Sequence, residues 1–106
     1  MRASTERVFV AGPAGRIECA LDRPPGAARG AALIAHPHPL YGGTLDNKVV
    51  QTLARSLLEL GCETWRPNFR GVGESEGGYD EGRGEVDDLA AVYSKIAKSA
   101  RIDSPK

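Results

Sequence analysis

Residues 36–43 read HPHPLYGG, and residues 67–75 read PNFRGVGES. The first stretch follows an apolar run at residues 31–35, and the second begins near the end of a strand predicted at residues 62–69. Proline and glycine punctuate both stretches, as is typical of loops that leave the ends of strands. The two loops and the elements around them decide the fold.

An antiparallel hairpin is predicted ahead of both loops. Two apolar-rich runs, residues 7–11 and 16–21, flank Gly12-Pro13-Ala14-Gly15, which favours a tight turn. Residues 23–30 predict a loop, because their prolines remove backbone donors and their glycines loosen the chain. Residues 31–35 read AALIA, as expected of a strand covered on both faces in a parallel sheet.

Two amphipathic helices are predicted next. Asp46 or Asn47 can cap the first helix, and Gly61 supplies its left-handed stop before a strand at residues 62–69. A glycine-rich loop at residues 71–84 precedes the second helix. The apolar positions that recur at helical spacing are Val49, Val50, Leu53, Ala54, Leu57 and Leu58 in the first helix, and Val86, Leu89, Ala90, Tyr93, Ile96 and Ala97 in the second.

The predicted order is strand, strand, strand, helix, strand, helix. Alternation of this kind predicts βαβ units with right-handed crossovers. The fold class is therefore α/β, with a leading hairpin followed by a parallel βαβα arrangement.

The two loops and this element order resemble the N-terminal half of the α/β-hydrolase superfamily. The resemblance implies that residues 36–43 form the loop after the third strand, where backbone amides help to build the oxyanion hole. It also implies that the R-G-x-G-x-S string follows the fourth strand. One such domain takes roughly 200–250 residues. Residues 1–106 are therefore expected to be an incomplete hydrolase domain, with the nucleophile and the triad base outside the chain.

The resemblance also indicates which backbone amides stabilise the oxyanion. Backbone amides held in a fixed orientation can stabilise the negative charge that develops on a carbonyl oxygen during acyl transfer. Pro37 and Pro39 have no N–H to donate. In the family's H-G-x pattern the residue two after the first histidine lends its amide, which implies His38, with Leu40 as the second candidate. Proline stands here where that pattern has glycine.

His36 is expected to be structural, with its imidazole bonding backbone carbonyls to shape the loop. In hydrolases of this fold the base follows the nucleophile along the chain, so neither His36 nor His38 is predicted to be the base. No third histidine, cysteine pair or H-E-x-x-H helix accompanies them, so no metal site is predicted. No cofactor is expected either.

Residues 73–77 read GESEG, a literal match to the nucleophile elbow G-x-S-x-G. An elbow requires a helix that starts just past the serine, whereas glycine-rich polar sequence follows here. Ser75 is therefore expected to bond local backbone groups. Gly71 and Gly73 are expected to shape a compact turn, and Arg70 to anchor it through an ion pair.

Composition excludes several classes of function. Fourteen basic residues balance 14 acidic ones without forming a basic stripe, which argues against nucleic acid as a partner. No apolar run approaches the ~18 residues that span a bilayer, and the N-terminus lacks the apolar centre of a signal peptide. A cytoplasmic location is expected, with the isolated Cys19 and Cys62 acting as small buried hydrophobes.

The expected function is a serine hydrolase acting on an ester, thioester or amide-type bond of a small-molecule or acyl substrate, with the 106-residue chain inactive alone. The alternative is a small non-catalytic α/β module that binds a ligand through the His36–Gly43 loop. In the complete fold, the strand at residues 31–35 would pair with the strand that leads into the nucleophile. Left as an apolar edge, it predicts self-association of the isolated chain.

Overall fold

A computed structural model describes residues 5–36 and 47–99 of the chain. The strands are β1 (Thr5–Gly12), β2 (Gly15–Asp22), β3 (Gly30–Leu33) and β4 (Cys62–Pro67), and the helices are α1 (Lys48–Glu59) and α2 (Arg83–Ser99). The predicted element order and the α/β class are confirmed.

The four strands form one sheet in the order β1-β2-β4-β3. β1 and β2 pair antiparallel, with Gly12 opposite Gly15, so Pro13 and Ala14 make the turn of the hairpin. β4 pairs antiparallel with β2 and parallel with β3. The sheet becomes parallel after the hairpin, as predicted, and β3 forms one edge of the described sheet.

β3 differs from the predicted strand in length and in burial. It ends at Leu33, although Ile34 still donates its N–H to the Trp65 carbonyl at 2.9 Å. All four of its residues are half-buried, whereas the sequence predicts a strand covered on both faces. The reason is its position, because an edge strand has a neighbour on one side only.

β4 ends at Pro67, two residues before the predicted end at Phe69. Pro67 has no N–H to donate to a ladder. Asn68 then turns its backbone N–H to the Glu18 carbonyl on β2, at 2.8 Å. The loop after β4 therefore begins at Asn68, earlier than the sequence predicts.

The two faces of the sheet carry separate cores, each covered by one helix. The larger core, under α2, is formed by Val10, Ile17, Cys19, Leu21, Trp65, Val92 and Ile96. The smaller core, under α1, is formed by Ile34, Val50 and Ala54. Leu33 packs against the first core and Ala32 against the second, because successive residues of a strand point to opposite faces. The two helices therefore lie on opposite faces of the sheet.

Helix α1 begins and ends where the sequence predicts. The Asn47 side chain accepts the N–H groups of Val49 at 2.9 Å and Val50 at 3.2 Å, which confirms it as the N-cap. Gly61, at φ 94°, follows the helix in the left-handed conformation. The predicted stripe is only partly buried: Val50 and Ala54 are in the core, whereas Val49 and Leu53 are exposed.

The predicted apolar stripe of α2 coincides with its buried face only in part, because Ile96 lies in the larger core whereas several other members are exposed. Val86 and Tyr93 are 63% and 65% exposed, and Ala90 and Ala97 are exposed as well. The side that packs on the protein carries Glu85, Asp88, Val92 and Ile96. Two carboxylates occupy this side because each has donors there: Arg70 for Asp88, and the backbone N–H groups of Asp80 and Gly82 for Glu85. Neither helix in the described part of the chain has the length and apolar character needed to cross a membrane.

Candidate functional site

His36 lies just beyond β3 and is only 5% exposed. Its Nε2 accepts the backbone N–H of Phe69 at 3.0 Å, and the two rings meet edge to face with centroids 4.6 Å apart. The sequence predicts bonds from this imidazole to backbone carbonyls, but in this bond it accepts from a backbone amide. His36 therefore joins the start of the loop after β3 to the residues that follow β4.

His38 and Leu40, the predicted oxyanion donors, lie outside the described residues, as does the rest of the loop as far as Gly43. Its first residue, His36, is described and is bonded to Phe69, and the described chain resumes at Asn47, which caps α1. The HPHPLYGG loop therefore starts at the carboxyl end of β3.

Glu18 on β2 holds the loop after β4 in place, although the sequence analysis did not single it out. Its side chain is buried, and its Oε1 accepts Asn68 Nδ2 at 2.9 Å and the Glu74 N–H at 2.8 Å. Its Oε2 pairs with Arg7 Nε on β1 at 2.8 Å. One carboxylate thus receives three donors, which compensates its burial and fixes the loop on the hairpin.

Ser75 is buried, with both hydrogen-bonding roles of its hydroxyl in use. The Oγ donates to the Asn68 carbonyl at 2.7 Å and accepts the Glu18 N–H at 2.8 Å. The prediction that Ser75 satisfies backbone groups is confirmed, although one of them lies on β2 rather than nearby in the chain. A nucleophilic serine needs a hydroxyl that can reach the substrate. The Ser75 hydroxyl instead holds two backbone groups of the protein together.

Gly71 and Gly73 both have positive φ, at 79° and 55°. A Cβ on Gly73 would lie 2.5 Å from Asn68 Nδ2 and 2.6 Å from Glu18 Oε1. A side chain there would displace the hydrogen bond between those two groups. The close approach of the loop to the hairpin therefore requires glycine at position 73.

Arg70 joins the same loop to α2. Its Nε and one terminal nitrogen meet the two Asp88 carboxylate oxygens at 3.0 and 2.9 Å, and that nitrogen also donates to the Gly84 carbonyl at 2.9 Å. Asp88 is 2% exposed. The hydrogen bond with Asp88 raises the pKa of Arg70 against the opposing effect of burial. A bidentate ion pair of this kind fixes the orientation of the guanidinium as well as its distance from the carboxylate.

Glu85 ties the start of α2 to the glycine-rich segment before it. Its Oε1 accepts the Gly82 N–H at 3.0 Å, and its Oε2 accepts the Asp80 N–H at 2.9 Å. Burial of this carboxyl acts to raise its pKa, but the backbone N–H bonds and the Arg70 charge outweigh burial and lower the pKa of Glu85. Gly82 immediately precedes α2, and Glu85 follows it by three residues. A Glu at that spacing is a sequence signal for the start of a helix.

An apolar groove of about 260 Å³ lies between the end of β4 and the first turns of α2. Its walls are formed by Phe69, Tyr79, Glu81, Gly82, Glu85, Val86 and Leu89. Phe69 also contacts His36, so the groove lies beside the start of the HPHPLYGG loop. The structure thus brings the beginning of the HPHPLYGG loop together with Phe69, at the beginning of the loop after β4.

Comparisons with known proteins place these features in a wider group. No protein-family model matches the chain. An uncharacterized protein of Rickettsia prowazekii is 44% identical over 93 residues, which are 88% of this chain and 39% of that protein.

Two solved structures are similar in both fold and sequence. An α/β serine hydrolase homologue from Coxiella burnetii aligns with a TM-score of 0.88 and 49% identity, over 92% of this chain and 48% of that one. An α/β serine hydrolase without a lid from Xanthomonas campestris aligns with a TM-score of 0.87 and 39% identity, over 95% of this chain and 48% of that one. This chain therefore spans about half the length of these solved relatives.

Proposed function

Because the chain belongs to the α/β-hydrolase superfamily and matches the N-terminal half of its fold, we propose that it supplies the oxyanion-stabilising framework of a serine hydrolase. In this proposal, the reactive serine and the triad base lie in a second half of the hydrolase. That half corresponds to the part of the relatives that this chain does not match. The observation that carries the proposal is the bond from the Phe69 N–H to His36, which holds the start of the HPHPLYGG loop at the carboxyl end of β3.

The position of that loop suits substrate binding. In open α/β sheets, ligands bind outside the carboxyl ends of strands, where successive connections change sides of the sheet. β3 is such a strand, since α1 and α2 cover opposite faces and β3 packs against both cores. The apolar groove at Phe69 adjoins this place and suits the apolar part of an acyl substrate.

The proposed chemistry is acyl transfer. A serine oxygen adds to the substrate carbonyl while the triad base takes the serine proton, and the carbonyl oxygen takes up negative charge. The bond to the leaving alcohol, thiol or amine then breaks, and the base returns the proton to that leaving group. In our proposal the backbone N–H of His38 donates to this oxyanion, with Leu40 as the alternative donor. The two prolines restrict φ in the loop, so the amide is oriented before the reaction begins. Esters, thioesters and amides all pass through such an intermediate, and the proposal covers all three.

A fusion of this chain to the part of the Coxiella burnetii homologue that follows the matched region would test the proposal. We expect it to hydrolyse p-nitrophenyl esters. Removing one oxyanion donor costs about 10²–10³ in kcat. His38→Pro in the fusion removes the backbone N–H and is expected to lower kcat by that factor. His38→Ala keeps the N–H and is the matched control, expected to stay within a few-fold of the parent.

The alternative donor and the alternative function are tested with the same fusion. A kcat loss with Leu40→Pro but not with His38→Pro would move the donor to Leu40. A fusion that folds, binds an apolar ester in the groove and never hydrolyses it would favour the non-catalytic binding module instead.

A further inference from the structure

Another cavity, of about 410 Å³, lies between the hairpin, β4 and the second half of α2. A volume of this size is within the ~300–1,000 Å³ that is typical of small-molecule sites. Glu63, one of its wall residues, lies near the amino end of β4, whereas the HPHPLYGG loop is bonded to Phe69 beyond the carboxyl end. The cavity is therefore separate from the groove and from the proposed oxyanion site.

The floor of the cavity is apolar. It is formed by side chains from three strands, including Val8 of β1, Leu21 of β2 and Trp65 of β4. These residues also belong to the larger core or pack against it. Leu21 and Trp65 are only 1% and 3% exposed, so the cavity is narrow at its floor. A narrow apolar floor suits an unbranched chain better than a wide ring system.

The charged groups on the sheet side of the cavity are paired with one another. Glu63 Oε1 accepts the Trp65 indole N–H at 2.8 Å, and Glu63 Oε2 meets Arg23 Nε at 3.4 Å. Arg23 also pairs with Glu6 on β1. Both oxygens of the Glu63 carboxylate are thus in use, and Trp65 is held in a fixed orientation.

Lys95 of α2 forms the opposite wall. Within the described part of the chain, its ammonium group has neither an ion pair nor a hydrogen bond. The aliphatic stem of a lysine can lie along an apolar wall while its charged head stays in water. The cavity therefore combines an apolar floor with one cation that no described residue neutralises.

We propose that this cavity binds a small monocarboxylate with an unbranched apolar chain. The chain lies against Val8, Leu21 and Trp65, and the carboxylate pairs with the Lys95 ammonium group. A monocarboxylate carries one negative charge, which matches the one unpaired cation. A phosphate monoester would bring a second negative charge close to Glu63. The proposal concerns binding and does not depend on the proposed hydrolysis.

Trp65 is the only tryptophan of the chain, so tryptophan fluorescence reports on this cavity directly. Octanoate is the test ligand, titrated below the concentration at which it forms micelles. We expect a saturable change in the fluorescence of Trp65. Octylammonium has the same chain and the opposite charge, and it is expected to give no saturable change. Octanol lacks the charge and is expected to bind about fivefold or more weakly.

Two variants test the two parts of the cavity. Lys95→Glu reverses the charge of the wall and is expected to weaken octanoate binding by about fivefold or more. Lys48→Glu changes the net charge equally at an exposed position of α1, on the other face of the sheet, and should bind like the parent. Val8→Phe enlarges a side chain of the floor and is expected to block binding. Lys95 is exposed, so Lys95→Glu decides the test if Val8→Phe fails to fold.

Three results would each overturn the proposal. The first is no saturable change with octanoate while circular dichroism shows that the protein is folded. The second is the same change with octanoate, octylammonium and octanol, because the cavity would then accept any amphiphile. The third is equal weakening by Lys95→Glu and Lys48→Glu, because binding would then depend on the net charge of the protein and not on the cavity.

Discussion

The Ser75 hydroxyl ties the loop after β4 to the hairpin, because it donates to one backbone group and accepts from another. Ser75→Ala removes the hydrogen bond to the Asn68 carbonyl and the acceptor of the Glu18 N–H. Each buried group left without a partner costs about 1–3 kcal/mol. We expect a lower denaturation midpoint for Ser75→Ala in urea.

Ser94→Ala is the control for that measurement, since Ser94 is exposed on α2 and its loss is expected to stay within about 0.5 kcal/mol. Equal midpoints for the two variants would mean that the Ser75 hydroxyl is free, and Ser75 would return as a candidate nucleophile.

His36 is predicted to stabilise the protein in a similar way. His36→Ala removes the acceptor of the Phe69 N–H and the ring contact with Phe69, so we expect it to lower the free energy of unfolding by about 1–3 kcal/mol or more. Urea denaturation followed by circular dichroism measures the loss. An unchanged free energy of unfolding would show that His36 does not hold the two loops together.

At the scale of elements, the acid sensitivity of α2 follows from Glu85. The pKa of Glu85 is lowered in the folded state from an ordinary value of 4.5, so its carboxylate contributes stability above that pH. That contribution is lost as the pH falls through the lower, folded-state pKa. We expect Glu85→Gln to be less stable than the parent at neutral pH and to lose less stability on acidification below about pH 4.5.

Asp87→Asn is the matched control, because Asp87 lies on the exposed side of the same helix. It should keep the parent's dependence of unfolding free energy on pH. If Glu85→Gln also kept the parent's dependence, the hydrogen bonds to Asp80 and Gly82 would not govern the acid response.

The element order, the hairpin turn and the cap at Asn47 could be predicted because each depends on local sequence. The whole buried side of α2 could not, since it includes Asp88, a carboxylate whose partner comes from elsewhere in the chain. Asp88 is buried because Arg70, 18 residues earlier, reaches it. An apolar periodicity alone selects the exposed Val86 and Tyr93 instead.

The residues of the candidate site divide in the same way, into those that local sequence predicts and those that depend on distant partners. The sequence singles out His36, Arg70, Gly71 and Gly73 from the two loops, but not Glu18. The available signal was the alternation of apolar and polar side chains along β2. Ile17 and Cys19 face the larger core, and Glu18 lies between them. Only the pairing of distant segments reveals that its carboxylate receives the loop after β4.

For the whole molecule, the edge strand β3 of the described sheet and the exposed Val86 and Tyr93 of α2 predict how the chain behaves in solution. Backbone groups left unpaired at a sheet edge, and exposed apolar side chains, favour association between copies. We expect the apparent mass to rise with protein concentration in light scattering. A monomer at every concentration, with slow exchange at Ala31 and Leu33, would contradict this prediction.

We propose that this chain is the framework of a serine hydrolase and does not supply the nucleophile. Fluorophosphonates modify activated serines, and peptide mass spectrometry then locates the modified residue. We expect no adduct on residues 1–106, either in the chain alone or in the fusion, and one adduct on a serine of the fused second half. An adduct on Ser75 that is absent from the Ser75→Ala variant would contradict it.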